Sequence, residues 1–149
     1  MSEKIKINWN DFDVNSKIVA LKIIEKGLHN LPILSIARGG LLPGLIINHQ
    51  LKHRYMDVIQ VQSYDTNHTQ HKIKILQEPN DRYNAVIIVD DLVESGNTLN
   101  AVKNYLIQKN SKVQIYTAVV YSKNESYKVD FKAKDMDPNT WIVFPYECD

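Results

Sequence analysis

Cysteine is almost missing from this chain. Among 149 residues there is one, Cys148, beside the C-terminal end. A lone thiol cannot build an internal disulfide framework or a cysteine-based zinc cluster. An excess of either charge is missing as well: 18 Lys+Arg stand against 17 Asp+Glu, a formal net charge of +1. That balance offers no electrostatic basis for nonspecific binding to nucleic acid or to a membrane surface. No apolar run approaches membrane-spanning length, and the opening MSEKIKINWN lacks the apolar core of a secretory signal. Repeats, low-complexity tracts and linker-like stretches are absent too. These absences set the first expectations: residues 1–149 as one domain, cytoplasmic, without nucleic acid and without membrane insertion.

What is present is enough for a core, since 44% of the residues are hydrophobic in a chain of this length. Ile5, Ile7 and Trp9 alternate with Lys4, Lys6 and Asn8, which predicts a short half-buried strand. Asp11 or Asp13 can cap a helix whose apolar face is Val14, Ile18, Leu21 and Leu28, ended by Gly27 and Asn30-Leu31-Pro32. Residues 33–37 (ILSIA) read as a buried strand that stops at Arg38-Gly39-Gly40, and Leu41-Leu42-Pro43 opens another helix. A third strand is expected over 56–62. The polar stretch 63–71 (SYDTNHTQH) has no hydrophobic period and reads as a loop, after which 72–76 alternate again. Further strands are expected over 112–121, 127–131 and 140–144. Strands and helices alternate at least three times, the pattern of an α/β fold with a mainly parallel sheet.

The chemistry concentrates in residues 85–98, AVIIVDDLVESGNT. Five apolar residues, 85–89, form a β-branched run suited to a strand buried on both faces. They run into the adjacent carboxylates Asp90 and Asp91, then into the turn Glu94-Ser95-Gly96-Asn97-Thr98. Beyond it, apolar residues at helical spacing continue to about Asn110-Ser111. In an open parallel sheet, ligands sit beyond the carboxyl ends of the strands, and a turn entering a helix can hold an anion on its N–H groups. Taken alone, the turn is an ordinary strand-to-helix connection. The two acids before it tip the balance, because neighbouring side chains on a continuing strand would send one carboxylate into the core. If the strand ends at Asp90, both can reach the crevice and accept from ribose hydroxyls, or hold a divalent cation through water. Arg38-Gly39-Gly40 closes another buried strand and should lie on the same edge, with Arg38 able to pair with phosphate oxygens.

Together, IIVDDLVESGNT and the Arg-Gly-Gly loop resemble a type I phosphoribosyltransferase. SIARGGLLPG, QVQSYD, VVYSK and TWIVFPYE stand in the order found in the short bacterial xanthine-guanine and hypoxanthine phosphoribosyltransferases, so the resemblance covers nearly the whole chain. It implies a Rossmann-like parallel-sheet core with a small C-terminal hood and a flexible loop. The implied activity is purine salvage: transfer of the 5-phosphoribosyl group from phosphoribosyl diphosphate to N9 of a 6-oxopurine, with Mg²⁺ as cofactor and release of pyrophosphate. The resemblance also implies a homo-oligomer, a dimer or tetramer.

The implied roles fall on single residues. Glu94, Ser95, Gly96, Asn97 and Thr98 would hold the 5′-phosphate, and Asp90 and Asp91 the ribose hydroxyls, with Asp91 near the metal. Arg38 and Gly39 would bind pyrophosphate, and Ser63 and Tyr64 would begin the loop that covers it. Glu94 would face N7 of the purine, Lys123 its O6, Trp141 would stack on the base, and the backbone of Ile142 would read its far edge. Read as residues alone, Lys123 is a solvated lysine after a strand and Trp141 a core residue. The sequence departs from the family at several points: Glu94 replaces the usual aspartate, and Asn97 stands where glycine is common. Thr69-Gln70-His71 lack the frequent arginine, and Val143 replaces an acid found in some xanthine-guanine enzymes. A non-catalytic regulatory protein that keeps the fold and binds RNA or protein is the competing reading. Near-neutral charge speaks against RNA.

Overall fold

The computed structural model describes residues 3–66 and 70–147. The tip of the polar stretch, 67–69 with Thr69, and Cys148 lie outside the described residues, as do the side chains of Tyr64, Gln70 and His71. The chain runs β1 (Lys4–Lys6), α1 (Trp9–Glu25), β2 (Ile33–Ala37), α2 (Leu41–Gln50), β3 (Asp57–Thr66) and β4 (Gln70–Gln77). It continues with β5 (Ala85–Val93), α3 (Asn97–Lys109), β6 (Gln114–Ser122), β7 (Phe131–Asp135) and β8 (Trp141–Val143). Six strands form one sheet in the order β4-β3-β2-β5-β6-β7, parallel throughout except for β4. The α/β fold with a mainly parallel sheet is therefore observed. Among the described residues no helix is long and apolar enough to cross a membrane.

Alternation along β5 sorts the core into two layers. Val86 and Ile88 join Leu34, Ile36 and Val119 beneath Leu99, Val102 and Leu106 of α3. Ile87 and Val89 face the other way, toward Val19, Ala20 and Ile23 of α1 and Ile47 of α2. With helices on both faces, β2 and residues 86–89 of β5 are buried on both sides, which is why each reads as a mostly apolar run and not as an alternation. From β2 the chain builds outward to β3 on one side and later to β5 on the other. The crevice between the carboxyl ends of β2 and β5 is thus the topological switch point of the sheet.

The structure corrects several sequence expectations. Asn8, not Asp11 or Asp13, caps α1, accepting from the Asp11 backbone N–H at 2.7 Å. The buried stripe of α1 is Phe12, Ser16, Val19, Ala20 and Ile23, while Val14 and Leu21 are exposed. Two apolar faces compete on this helix, and the one carrying Phe12 wins, since burying a side chain of that size contributes about 1.5–3 kcal/mol. The end at Gly27 holds: its N–H donates to the Ile24 carbonyl and that of Leu28 to the Ile23 carbonyl. The stretch expected as a loop is mostly a hairpin, because β3 runs on to Thr66 and pairs antiparallel with β4. Its polar side chains hide a strand that forms through backbone pairing. Tyr127 belongs to a turn, and the expected 127–131 strand is shifted to β7. The 85–89 strand continues to Val93, so it does not end at Asp90.

A separate two-stranded parallel sheet joins β1 to β8, with Ile5 opposite Ile142. The expected C-terminal hood is thus half N-terminal.

Candidate active site

The crevice at the switch point begins with Arg38 and Gly39, directly after β2. The Ala37–Arg38 peptide is cis, and Arg38 is exposed at the mouth. Backbone leaves no room for a side chain at Gly40, and one at Gly39 would displace the Asp91 carboxylate. A Cβ on Gly39 would stand 2.5 Å from an Asp91 carboxylate oxygen, and one on Gly40 would stand 2.3 Å from the Val89 carbonyl. Glycine here brings the β2 loop and the acids of β5 into direct apposition.

Because β5 continues through the acids, its alternation also continues. Asp90 has the parity of Ile88, toward the α3 side, and Asp91 that of Val89, toward the α1–α2 side. Both nonetheless line one hollow of about 810 Å³, together with Arg38, Gly39, Ser63 and Thr98. At the open end of the sheet, a strand can point two neighbours in opposite directions and still present both to the same crevice. Burial, then the neighbouring Asp91 charge, pushes the Asp90 carboxyl well above the usual carboxylate range. Asp91 is raised by burial too, opposed by a hydrogen bond from the Tyr146 hydroxyl to its Oδ2. Two close, half-buried acids lining the hollow are poised for hydroxyl donors or a cation.

Past Val93 the chain enters the 94–98 turn. Gly96 has φ of 86°, left-handed, and leads into α3. The Ser95 hydroxyl accepts from the Asn97 N–H at 3.1 Å. A hollow of about 340 Å³ runs along this turn and shares Ser63, Asp90, Asp91 and Thr98 with the larger one. Glu94 and Ser95 in turn border a third hollow of about 710 Å³, lined by Lys123, Asn124, Met136 and Pro138. The Lys123 ammonium lies 3.7 Å from Glu94 Oε1, with the lysine side chain 10% exposed and the glutamate 61%. Lys123 is therefore not a freely solvated lysine. Three hollows in contact, linked by shared walls, form one trough along the carboxyl ends of the strands.

Sequence alignment to known families matches the phosphoribosyl transferase domain over residues 8–149. The chain belongs to the phosphoribosyltransferase family. Among its relatives is a xanthine-guanine phosphoribosyltransferase of Desulfotalea psychrophila, 31% identical, with all of this chain and 92% of that protein covered. A second, from Nitratidesulfovibrio vulgaris, is 28% identical over 96% of this chain and 84% of its own length. Among solved structures, a purine phosphoribosyltransferase from Pyrococcus horikoshii superposes with a TM-score of 0.85 at 27% identity, covering 99% of this chain and 95% of that one.

On this phosphoribosyltransferase frame, Arg38, Gly39, Ser63, Asp90, Asp91 and the 94–98 turn lie along one trough, and Lys123 is beside Glu94 at its far end. Trp141 and Ile142 stand outside the linings of all three hollows. Trp141 is 57% exposed on the hood, so it is not a core residue, whereas Ile142 is buried. Sequence reasoning missed Tyr146, whose ring stacks on Phe144 at 5.3 Å while its hydroxyl reaches Asp91. It also missed Met136 and Pro138. Nothing local marks these positions; tertiary contact alone brings them to the trough.

Proposed function

We propose that this protein is a purine salvage enzyme that transfers the 5-phosphoribosyl group from phosphoribosyl diphosphate to N9 of guanine, hypoxanthine or xanthine, releasing pyrophosphate. The observation that carries the reading is the trough itself. An arginine-glycine loop, a pair of acids, a left-handed glycine turn and a lysine–glutamate pair follow one another along it. Phosphoribosyl diphosphate needs the first three in that order, for its pyrophosphate, its ribose hydroxyls and its 5′-phosphate. The names of the relatives support the purine as the second substrate.

Lys123 and Glu94 suit the N7–O6 edge of a 6-oxopurine. The ammonium donates to O6, and the carboxylate accepts the hydrogen on N7. A 6-aminopurine would set a donor against Lys123. In the free protein the two side chains face each other, so the base replaces a weak, half-exposed ion pair.

Asp91 faces Gly39 and the hollow of about 810 Å³, where it would hold Mg²⁺. Among the described residues no group of three or more His, Cys, Asp or Glu could bind a metal. Asp90 and Asp91, side by side in one hollow, fit Mg²⁺, which is commonly held by one or two carboxylates plus phosphates and waters. When bound, it supplies positive charge against the leaving pyrophosphate. The remaining steps belong to the chain. Arg38 meets the pyrophosphate oxygens. Asp90 and Asp91 orient the ribose from beneath, where carboxylates also tolerate the positive charge that builds as the C1′–O bond breaks. The 94–98 turn anchors the phosphate, so the ribose keeps its aim while N9 attacks C1′. Ser63 and Tyr64 begin the cover that keeps water from the activated sugar.

We also infer that it works in the cytoplasm as a homo-oligomer, a dimer or tetramer. Val14 and Leu21 lie exposed on the outer side of α1, opposite its buried stripe. Sedimentation of a single monomeric species would remove that part of the proposal. The central experiment is a pyrophosphate-release assay with Mg²⁺, phosphoribosyl diphosphate and a panel of bases. Release with 6-oxopurines but not with adenine or orotate is expected. No release with any base would leave the regulatory reading.

A further inference from the structure

The turn after β6 does more than carry Lys123. We propose that residues 122–127 form a clamp on the phosphate loop, with Asn124 and Tyr127 as positioning residues for the 5′-phosphate. This rests on the phosphoribosyl-transfer reading above.

Asn124 uses its whole amide. Its Nδ2 donates to the Glu94 carbonyl at 2.7 Å, across thirty residues of sequence. Its Oδ1 accepts from the Ser126 N–H at 2.9 Å and the Tyr127 N–H at 3.3 Å, which folds its own turn. The first residue of the phosphate loop is thereby tied to a rigid corner.

Tyr127 closes the other end. Its ring occupies the space where a Cβ of residue 96 would stand, 2.1 Å from Cδ2 and 2.2 Å from Cε2. Its hydroxyl donates to Asn100 Oδ1 at 2.7 Å, in the first turn of α3. Lys103, one turn further along, lies with Nζ 5.3 Å from the ring centroid. One aromatic side chain thus covers the left-handed glycine and grips the helix that follows it.

An anion site made of backbone N–H groups works only if those groups point the right way before the ligand arrives. Among the described residues, Gly96 gives α3 no side-chain cap, and the loop is exposed at Glu94, Ser95 and Asn97. The clamp supplies the order that the loop lacks. It also couples the phosphate loop to the far end of the trough, since Lys123 lies between Ser122 and Asn124 and faces Glu94.

Two variants test this. Tyr127→Phe removes only the hydroxyl contact to Asn100. Asn124→Asp keeps the acceptor for the turn but sets a carboxylate oxygen against the Glu94 carbonyl. Both should keep the wild-type fold, read by circular dichroism. KM for phosphoribosyl diphosphate and the Kd of ribose 5-phosphate should rise about fivefold in Tyr127→Phe, the affinity equivalent of one net hydrogen bond. The rise should be larger in Asn124→Asp, while pyrophosphate affinity stays unchanged in both. Wild-type ribose 5-phosphate affinity in both variants, or an equal loss of pyrophosphate and ribose 5-phosphate affinity, overturns the clamp and leaves the enzymatic reading standing. Absence of turnover in the wild-type protein overturns that reading itself, before any variant is compared.

Discussion

Asp91 is the residue on which most of the site converges: Gly39 presses against it, Tyr146 donates to it, and Asp90 crowds it. Burial raises both carboxyls, so in the ligand-free protein the charged pair costs stability at neutral pH. Asp91→Asn keeps an acceptor for the Tyr146 hydroxyl and removes one charge. Turnover should fall by roughly two orders of magnitude, as for loss of a transition-state electrostatic contact. The melting temperature should hold or rise, by roughly 2–4 °C for each kcal/mol gained at this size. Undiminished turnover would dismiss the assigned role. At Trp141 the proposed contact is with the base alone. Trp141→Ala should raise the purine KM about tenfold, a single stacking contact's worth, with that for phosphoribosyl diphosphate unchanged. Parallel increases in both would make the tryptophan structural. Asp91 and the tyrosines around the trough divide what the chain discloses from what it hides. Asp91 sits in a local pattern that announces chemistry, whereas Tyr146 and Tyr127 act through partners 55 and 27 residues distant. No window along the chain holds both ends of such a contact.

Among the elements, β5 was the easiest to read and α1 the hardest. Five apolar residues followed by acids leave few alternatives, and the misplaced end of β5 moved no residue out of the crevice. On α1 two stripes compete, and Ser16 interrupts the one that is buried. The connector before β5 illustrates another kind of hidden order. Asp57, buried at the start of β3, accepts from the Val58, Asn80 and Asp81 N–H groups at 2.9, 3.0 and 3.3 Å and from the Tyr83 hydroxyl. It pins the segment that delivers the chain into β5. Asp57→Ala leaves these donors unmet and should cost about 3 kcal/mol or more, seen as a lower denaturant midpoint. A change below about 0.5 kcal/mol would show that the segment is held by its packing alone.

For the whole molecule, the mainly parallel sheet followed from alternation of strand and helix, and the placing of ligand chemistry followed from the sheet. The two hood strands were each legible, from the Ile5-Ile7 alternation and over 140–144, but their pairing was not, because nothing local joins residue 4 to residue 141. Their pairing places the proposed base-stacking residue under the control of the N-terminal strand, since the Trp141 N–H donates to the Glu3 carbonyl at 2.7 Å. A chain beginning at Ile7 should bind purine at least about fivefold more weakly, with phosphoribosyl diphosphate affinity retained. Equilibrium titration of both ligands decides it, and unaltered purine affinity would free the hood from its strand partner.

That same β1–β8 pair has a consequence for how the protein is made. It joins residue 4 to residue 141, so almost the entire chain is the loop that must close before the two strands meet. Synthesis runs from the N-terminus, so β2, α2, β3 and β5 are made before Trp141 is. The hood is therefore the last part of the fold that can close, after the central strands that carry the trough have been made.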